Sequence, residues 1–406
     1  MPSESSAGTE VSVHSERDLV PGHLPALDGV RGVAIGLVLA HNLDIISGRQ
    51  SLIGHLTDLA VNEGWVGVQL FFVLSGFLIT GILLDSRAAT NYYGAFFARR
   101  FLRIFPLYYA TLFVAFVLLP RLTAHPPDGH HQIWLWCYLS NWRGLIPGAP
   151  PEFPHFWSLA VEEQFYLIWP FVVRRLSARR LLRLCAGLMI LAFAVRVVMR
   201  QLRSGPEPVY QWTICRVDAL AAGAAVAVML RLRELRAALE RHGRAIRLGA
   251  WGLLLGGAVA THAFPRTIER GQTLGYTLLA LVFAALVVIA ARGDLRRDGR
   301  WGTRLACALR AAPLRSMGKY SYGMYVFHMP IHFFLRDHVS GWAIHRFGKI
   351  GVMVDLAYLL GGGAVTFLAA FLSYHLLEKH FLALKRWFVP SLPPPVPGGP
   401  VPSLTP

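Results

Sequence analysis

The chain has 406 residues, of which 54% are hydrophobic and only 16% are charged, and its formal net charge at pH 7 is +17. A soluble domain carries roughly 25% charged residues, so this composition excludes an ordinary soluble protein and favours a membrane protein. The positive charge alone would also suit a nucleic-acid-binding protein, so the positions of the basic residues must decide between the two.

Apolar segments recur along the whole chain, and about 20 apolar residues suffice to cross a bilayer. We predict an all-α protein, a polytopic membrane helix bundle of about ten transmembrane helices. The predicted spans lie near residues 31–48, 65–84, 103–119, 157–173, 181–199, 212–230, 247–264, 273–291, 320–335 and 350–376. The fourth span is the least hydrophobic, because Glu162 and Glu163 lie within it.

Lysine and arginine are concentrated in alternate connections between the predicted spans. If the N-terminus is cytoplasmic, arginine-rich connections such as 174–183 and 231–247 also face the cytoplasm. This asymmetry is typical of multi-pass membrane proteins. We therefore predict a protein integral to the cytoplasmic (inner) membrane, with both termini in the cytoplasm. Membrane lipids are predicted partners, and nucleic acid is not.

The two ends of the chain differ in composition from the apolar part. Residues 1–26 are rich in Ser and Glu and lack the apolar core of a signal peptide, and residues 390–406 are rich in proline. We predict that both are disordered tails, the first one cytoplasmic, around one membrane domain over residues 27–389. The four cysteines have neither disulfide nor metal-ligand spacing, and we predict no metal centre.

Four motifs follow one another in the apolar part: LDGVRG (27–32), GVQLFFVLSGFLIT (67–80), FFARRFLRIFPLYY (96–109) and FWSLAVEEQFYLIWP (156–170). In this order they resemble the acyltransferase 3 family, integral-membrane enzymes that O-acylate sugars and related hydroxyl compounds. The resemblance runs from Leu27 to Phe381, with weaker similarity at 215–223, 321–331 and 377–381. It implies an acyltransferase whose co-substrate is acyl-coenzyme A. The acyl group that members of the family transfer is usually acetyl, so the resemblance implies acetyl-coenzyme A. The acceptor would be a hydroxyl of a saccharide or glycosylated small molecule, and no cofactor would be permanently bound.

Arg31 and His41 lie in the first predicted span, where a charge costs at least about 2.5 kcal/mol. On one helix they are about 15 Å apart, which places Arg31 near the cytoplasmic headgroups and His41 near mid-depth. A neutral imidazole there can accept a proton from a hydroxyl group. The resemblance implies that His41 and Arg31 are catalytic. The alternative is a packing histidine and an arginine that reaches lipid phosphates.

The first motif departs from the family in one respect. The family places ten residues between its arginine and histidine, whereas nine lie between Arg31 and His41, and Asn42 occupies the family's histidine position. One residue rotates a helix by about 100°. Either His41 serves after a local adjustment, or another group is the base.

Ser75 lies near the middle of the second predicted span. It could orient a substrate, bond to His41 or act as a nucleophile, while the alternative is a packing step in which Gly76 lets another helix approach closely.

Arg99, Arg100 and Arg103 lie at the inner end of the third span. Such guanidinium groups suit the phosphates of coenzyme A and equally those of anionic lipids.

Glu162 and Glu163 lie within the fourth span, and Arg216 and Asp218 lie at similar depth in the sixth. Two residues on a helix are about 200° apart, so Arg216 and Asp218 need partners on other helices. We predict that Arg216 pairs with Glu162 or Glu163, as a structural ion pair or as support for a catalytic carboxylate. His328, in the ninth span, is predicted to lie near mid-depth.

Two other function classes fit parts of the sequence. A secondary transporter would use the intramembrane charges as a proton relay, although no inverted repeat is visible. A non-catalytic membrane scaffold would use them for packing, and the shifted histidine keeps that alternative open. The sequence leaves the oligomeric state open.

Overall fold

The structure is a computed structural model and describes residues 24–43, 63–122, 131–142, 145, 153–295, 302–336 and 351–391. These ranges are helical and contain no strand, so the predicted all-α class is confirmed. Within them, ten helices have 17 or more residues. They are α1 (Pro25–Asn42), α2 (Val66–Asp85), α3 (Tyr92–Phe113), α4 (Trp157–Arg175), α5 (Ala178–Gln201), α6 (Thr213–Met229), α7 (Gly243–Thr261), α8 (Tyr276–Leu295), α9 (Ala312–Leu335) and α10 (Gly351–Ser373).

Two of these helices continue beyond a π-helical turn. After α3, the turn Val114–Leu118 leads into the short helix Leu119–Leu122. After α10, the turn Tyr374–Glu378 leads into Lys379–Ala383 and then into a 3-10 segment, Leu384–Trp387. The C-terminal part of the described chain is therefore a long, nearly continuous helical rod.

In the part of the chain that the structure describes, six helical segments are long and apolar enough to cross a membrane. They are Val66–Asp85, Tyr92–Arg121, Ala178–Gln201, Pro206–Met229, Gly271–Asp294 and Leu356–Trp387. The predicted count of about ten spans is not confirmed. The other four long helices, α1, α4, α7 and α9, are more polar; Arg31 lies in α1, and Glu162 and Glu163 lie in α4.

The centre of the bundle is built by helices that approach closely. A side-chain carbon on Gly76 of α2 would overlap the carbonyl of Leu220, and one on Gly223 of α6 would overlap the carbonyl of Val73. Only glycine fits at such contacts, which are typical of packed membrane helices. The close approach predicted at Gly76 is confirmed.

The outer helices expose apolar side chains. In α5, Ile190 is 69% exposed and Val198 is 51% exposed. Only 22% of the residues in the apolar stretch of this helix are buried within the protein. An apolar surface of this size is unfavourable in water and is suited to lipid. The fold is thus that of an integral membrane protein with a tightly packed centre.

Candidate active site

Three side chains from α2 and α4 form a hydrogen-bonded chain in the centre of the bundle. The hydroxyl of Ser75 bonds the hydroxyl of Tyr166, and Tyr166 donates to Glu162 Oε2 at 2.7 Å. A phenol has one hydrogen, and Glu162 receives it, so Ser75 is the donor to Tyr166. The arrangement can therefore pass a proton from Ser75 through Tyr166 to Glu162.

Two arginines flank this chain. The guanidinium carbon of Arg100 lies 4.3 Å from the ring centroid of Tyr166, and the buried Nε of Arg100 has no hydrogen-bond partner. Arg31 of α1 pairs with Asp28 at 3.6 Å. Both arginines also interact electrostatically with Glu162. The structure thus brings Arg31, Ser75 and Glu162 together, as residues of one site.

Five basic side chains, among them Arg31 and Arg100, form one group, which we call the cation cluster. Its members are Arg31, Arg99, Arg100, Arg103 and Lys385. Lys385 lies in the 3-10 segment Leu384–Trp387 and interacts electrostatically with all four arginines. Of the arginines predicted to bind the donor, Arg100 lies beside the Ser75–Tyr166–Glu162 chain. Arg99 and Arg103 belong to the same cluster, together with a lysine from the far end of the sequence.

Glu163 faces other neighbours than Glu162 does. Adjacent residues point about 100° apart on a helix, and Glu163 turns towards Tyr108 and Tyr322. Its buried Oε1 has no hydrogen-bond partner, although Arg100 interacts electrostatically with the carboxylate. Glu163 is thus a half-buried carboxylate next to the site, with one buried oxygen that accepts no hydrogen bond.

Histidines gather at the other end of α1. His41 lies in the last turn of α1 and interacts electrostatically with His328 of α9. The buried ring of His328 lies 4.6 Å from that of His155, and its Nδ1 lies 2.7 Å from the carbonyl oxygen of Tyr325. A carbonyl only accepts, so Nδ1 carries the hydrogen, and the buried Nε2, which has no partner, carries a lone pair. Burial lowers the pKa of His155 well below its usual range and keeps that ring neutral.

The predicted catalytic residues therefore fall into two groups. Gly67, at the start of α2, lies against Ala34 and Val38 near the end of α1, so α1 and α2 run antiparallel. Ser75 consequently lies towards the Arg31 end of α1. His41 lies about 15 Å further along α1, on the side of His328.

The predicted pairing of Arg216 with Glu162 or Glu163 is wrong. Arg216 donates to Gln69 Oε1 at 2.5 Å, and its guanidinium carbon lies 4.3 Å from the ring centroid of Tyr276. The other two guanidinium nitrogens of Arg216, Nε and Nη1, are buried without a hydrogen-bond partner, so neither carboxylate of α4 is bonded to Arg216. The proposed support of a catalytic carboxylate through Arg216 is therefore also wrong.

Asp218 has a partner that the sequence analysis missed. Arg196 of α5 pairs with Asp218 Oδ2 at 2.9 Å, and both side chains are completely buried. Arg196 also donates to the hydroxyl of Thr277 at 2.5 Å. Asp218 thus belongs to a structural ion pair between α5, α6 and α8. Among the described residues, no group of three or more His, Cys, Asp and Glu side chains could hold a metal ion.

The sequence of the chain was compared with known families. A model of the acyltransferase domain matches residues 24–375. The chain belongs to the acyltransferase 3 family. The match covers all the long helices up to α10 and includes both groups of predicted catalytic residues.

Several curated proteins are similar to this chain. YrhL of Bacillus subtilis, which carries the provisional name of a peptidoglycan O-acetyltransferase, is 30% identical over 88% of this chain and 54% of its own length. The peptidoglycan O-acetyltransferase OatA of Listeria monocytogenes is 28% identical over 76% of this chain and 49% of its own length. The O-acetyltransferase OatA of Staphylococcus aureus is 27% identical over 89% and 58%.

The chain thus spans about half the length of the curated relatives it matches. What these relatives do as whole proteins is therefore carried over to this chain only as a proposal. The comparison with solved structures found no match.

Sequence reasoning missed four residues of functional interest: Tyr166, His155, Lys385 and Arg196. Tyr166 follows Glu162 by four residues, so helical spacing could have placed both on one face of α4. Arg196 stands alone in an apolar segment, which is a signal for a buried partner. For His155 and Lys385 no local signal exists, because each reaches its neighbours only through contacts between helices distant in sequence.

Proposed function

We propose that this chain is a membrane O-acyltransferase. It moves an acyl group from acyl-coenzyme A to a hydroxyl of a saccharide or glycosylated molecule, and the acyl group that we propose is acetyl. The observation that carries the proposal is the Ser75–Tyr166–Glu162 chain beside the cation cluster. The names of the relatives support a carbohydrate acceptor such as peptidoglycan.

The donor binds at the cation cluster in this proposal. Guanidinium groups match phosphate oxygens in charge and geometry, and Arg99, Arg100 and Arg103 take up the phosphates of coenzyme A. Arg31 and the Ser75–Tyr166–Glu162 chain lie deeper in the bundle and guide the acyl end of the donor towards His41. Acyl-coenzyme A is a co-substrate here and leaves as free coenzyme A.

The acceptor is activated at the other end of α1. His41 takes the proton of the acceptor hydroxyl, and the freed oxygen attacks the thioester carbonyl. The new C–O bond forms, the C–S bond breaks, and the thiolate of coenzyme A takes up a proton. Because Ser75 lies towards the Arg31 end of α1, away from His41, an acyl-serine formed before transfer is a second route to the same products.

We also propose that the chain lies in the cytoplasmic membrane with both termini in the cytoplasm, because the arginine-rich connections are expected on the cytoplasmic side. We also propose about ten spans, since α1, α4, α7 and α9 are long enough to accompany the six apolar helices. The donor then reaches the cation cluster from the cytosol, and the acceptor meets His41 from the other side.

The test uses the purified chain in nanodiscs with acetyl-coenzyme A labelled in the acetyl group. Release of coenzyme A is measured with and without a soluble peptidoglycan disaccharide, and the sugar is analysed for label. We expect acceptor-dependent release and an O-acetylated sugar. Binding of labelled acetyl-coenzyme A is measured in parallel, because a missing acceptor would suppress release without affecting binding.

The outcomes separate the function classes. A transporter would move a saccharide across a vesicle membrane without consuming acetyl-coenzyme A. A scaffold would neither bind nor consume acetyl-coenzyme A. Either result would contradict the proposed acyl transfer.

A further inference from the structure

The C-terminal segment is bound to the start of α3. Asn91 Nδ2 donates to the carbonyl of Val389 at 2.9 Å, and the amide of Ser391 donates to Asn91 Oδ1 at 2.8 Å. The amide of Thr90 donates to the carbonyl of Ser391 at 3.1 Å. These bonds hold the 3-10 segment, and with it Lys385, against the arginine-bearing part of α3.

Three arginines of the cation cluster have acidic neighbours that compensate their positive charge. Arg31 pairs with Asp28 at 3.6 Å, and Arg103 interacts electrostatically with Glu378. The acidic neighbours of Arg100 are the two glutamates of α4. These three arginines therefore have carboxylates within the protein.

Lys385 and Arg99 lack such compensation. In the part of the chain that the structure describes, neither forms an ion pair or a hydrogen bond, and the charged groups that act on Lys385 are all arginines. Lys385 is half-buried and Arg99 is exposed. Holding like charges together without an acid is unfavourable, unless an anion from outside completes the group.

Charge and position together indicate which anion this is. A phosphomonoester carries about two negative charges at pH 7, which matches the two uncompensated cations. The nucleotide end of coenzyme A bears such a group on the ribose, at the opposite end of the molecule from the thioester. Arg99 is exposed and Lys385 comes from the C-terminal segment, whereas Arg100 lies against the buried ring of Tyr166.

We propose that Lys385 and Arg99 form a phosphomonoester subsite that binds the ribose 3′-phosphate of the acyl-coenzyme A donor. The inference rests on the proposed function and assigns donor specificity to the C-terminal segment. Arg103 and Arg100 remain for the diphosphate. Removal of the 3′-phosphate from the donor and removal of the Lys385 charge should therefore have the same, non-additive effect.

The experiment compares the binding of coenzyme A and 3′-dephospho-coenzyme A to the full chain in zwitterionic nanodiscs. We expect the wild type to bind coenzyme A roughly tenfold more tightly, because a charge-assisted hydrogen bond is lost with the 3′-phosphate. Lys385→Gln should bind both ligands with the affinity of the wild type for the dephospho form. Lys385→Arg should retain most of the preference.

The control is Arg386→Gln, which removes a neighbouring exposed charge that stacks on Trp387. It should keep the tenfold preference. A Lys385→Gln variant that loses affinity for both ligands equally would overturn the proposal, since the ratio of the two affinities is insensitive to partial misfolding.

Two further results are informative. If the wild type binds both ligands equally, and Lys385→Gln alters stability only in nanodiscs that contain phosphatidylglycerol, the phosphate belongs to a lipid headgroup and the proposal is wrong. If coenzyme A is preferred but a saccharide crosses the membrane without consumption of acetyl-coenzyme A, the subsite stands and the proposed function fails. The two proposals are thus tested separately.

Discussion

Ser75 of α2 and Tyr166 of α4 are joined through their hydroxyl groups, and Tyr166 donates in turn to Glu162 at 2.7 Å. Ser75 and Tyr166 come from different motifs, and their contact exists only because α2 and α4 pack side by side. The phenol of Tyr166 thereby connects a hydroxyl to a carboxylate within a group of arginines. This relationship makes Tyr166 a central residue of the candidate site.

Tyr166→Phe should lower the turnover of acetyl-coenzyme A by roughly a hundredfold, because proton transfer through positioned groups contributes a factor of this order. The ring remains beside Arg100, so donor binding should be unchanged. Turnover and the Kd of acetyl-coenzyme A are measured separately. Tyr109→Phe is the control, since its hydroxyl only donates to the carbonyl of Trp136 at 3.1 Å. Equal turnover in the wild type and Tyr166→Phe would exclude a role for the phenol.

His41→Ala should abolish acceptor-dependent release of coenzyme A, while Asn42→Ala should change it less than about threefold if His41 is the base. Asn42 donates its side-chain amide to the carbonyl of Val38 at 2.9 Å and is thereby engaged with its own helix. Release is measured with a peptidoglycan disaccharide as acceptor. If Asn42→Ala loses the release of coenzyme A and His41→Ala keeps it, His41 is not the base. The residue at the family's usual histidine position, Asn42, would then be the one that matters at the acceptor end of the site.

Asp218→Asn should destabilise the protein by about 3–5 kcal/mol, because it leaves the buried guanidinium of Arg196 without a counter-charge. Thermal unfolding in detergent, followed by loss of the monodisperse species, measures the effect. The matched control is Asp85→Asn, because Asp85 is 60% exposed in its pair with Arg231 and such pairs contribute at most about 1 kcal/mol. The double variant Arg196→Met/Asp218→Leu should recover much of the loss. No recovery would point to a role beyond charge balance.

Gly223→Ala should destabilise the contact between α2 and α6, because the added methyl group would overlap the carbonyl of Val73. Overpacking of this kind costs about 1–3 kcal/mol. Gly187→Ala in α5 is the control, since no atom lies within 4 Å of the added carbon. The same unfolding assay compares the two variants. Equal stability would mean that α6 shifts without cost, which contradicts the tight contact.

The sequence by itself determined the class of the protein. Long apolar segments must form helices in a membrane, because no water is present to satisfy an unpaired backbone group. Motif order was sufficient to recognise the acyltransferase 3 family. Helical spacing also placed Arg31 and His41 at different depths, since the rise per residue is fixed. These properties are local, or depend only on the order of residues along the chain.

The tertiary structure alone decided which charged groups meet. Arg216 could have paired with either glutamate of α4 by depth, yet it lies between Gln69 and Tyr276, and Arg196 pairs with Asp218 instead. Lys385 reaches the arginines of α3 because its segment is bound to the start of that helix, where Thr90 contacts Ser391, 301 residues away in sequence. Depth is readable from one helix, whereas rotation and neighbour choice depend on how side chains from several helices fill the space between them.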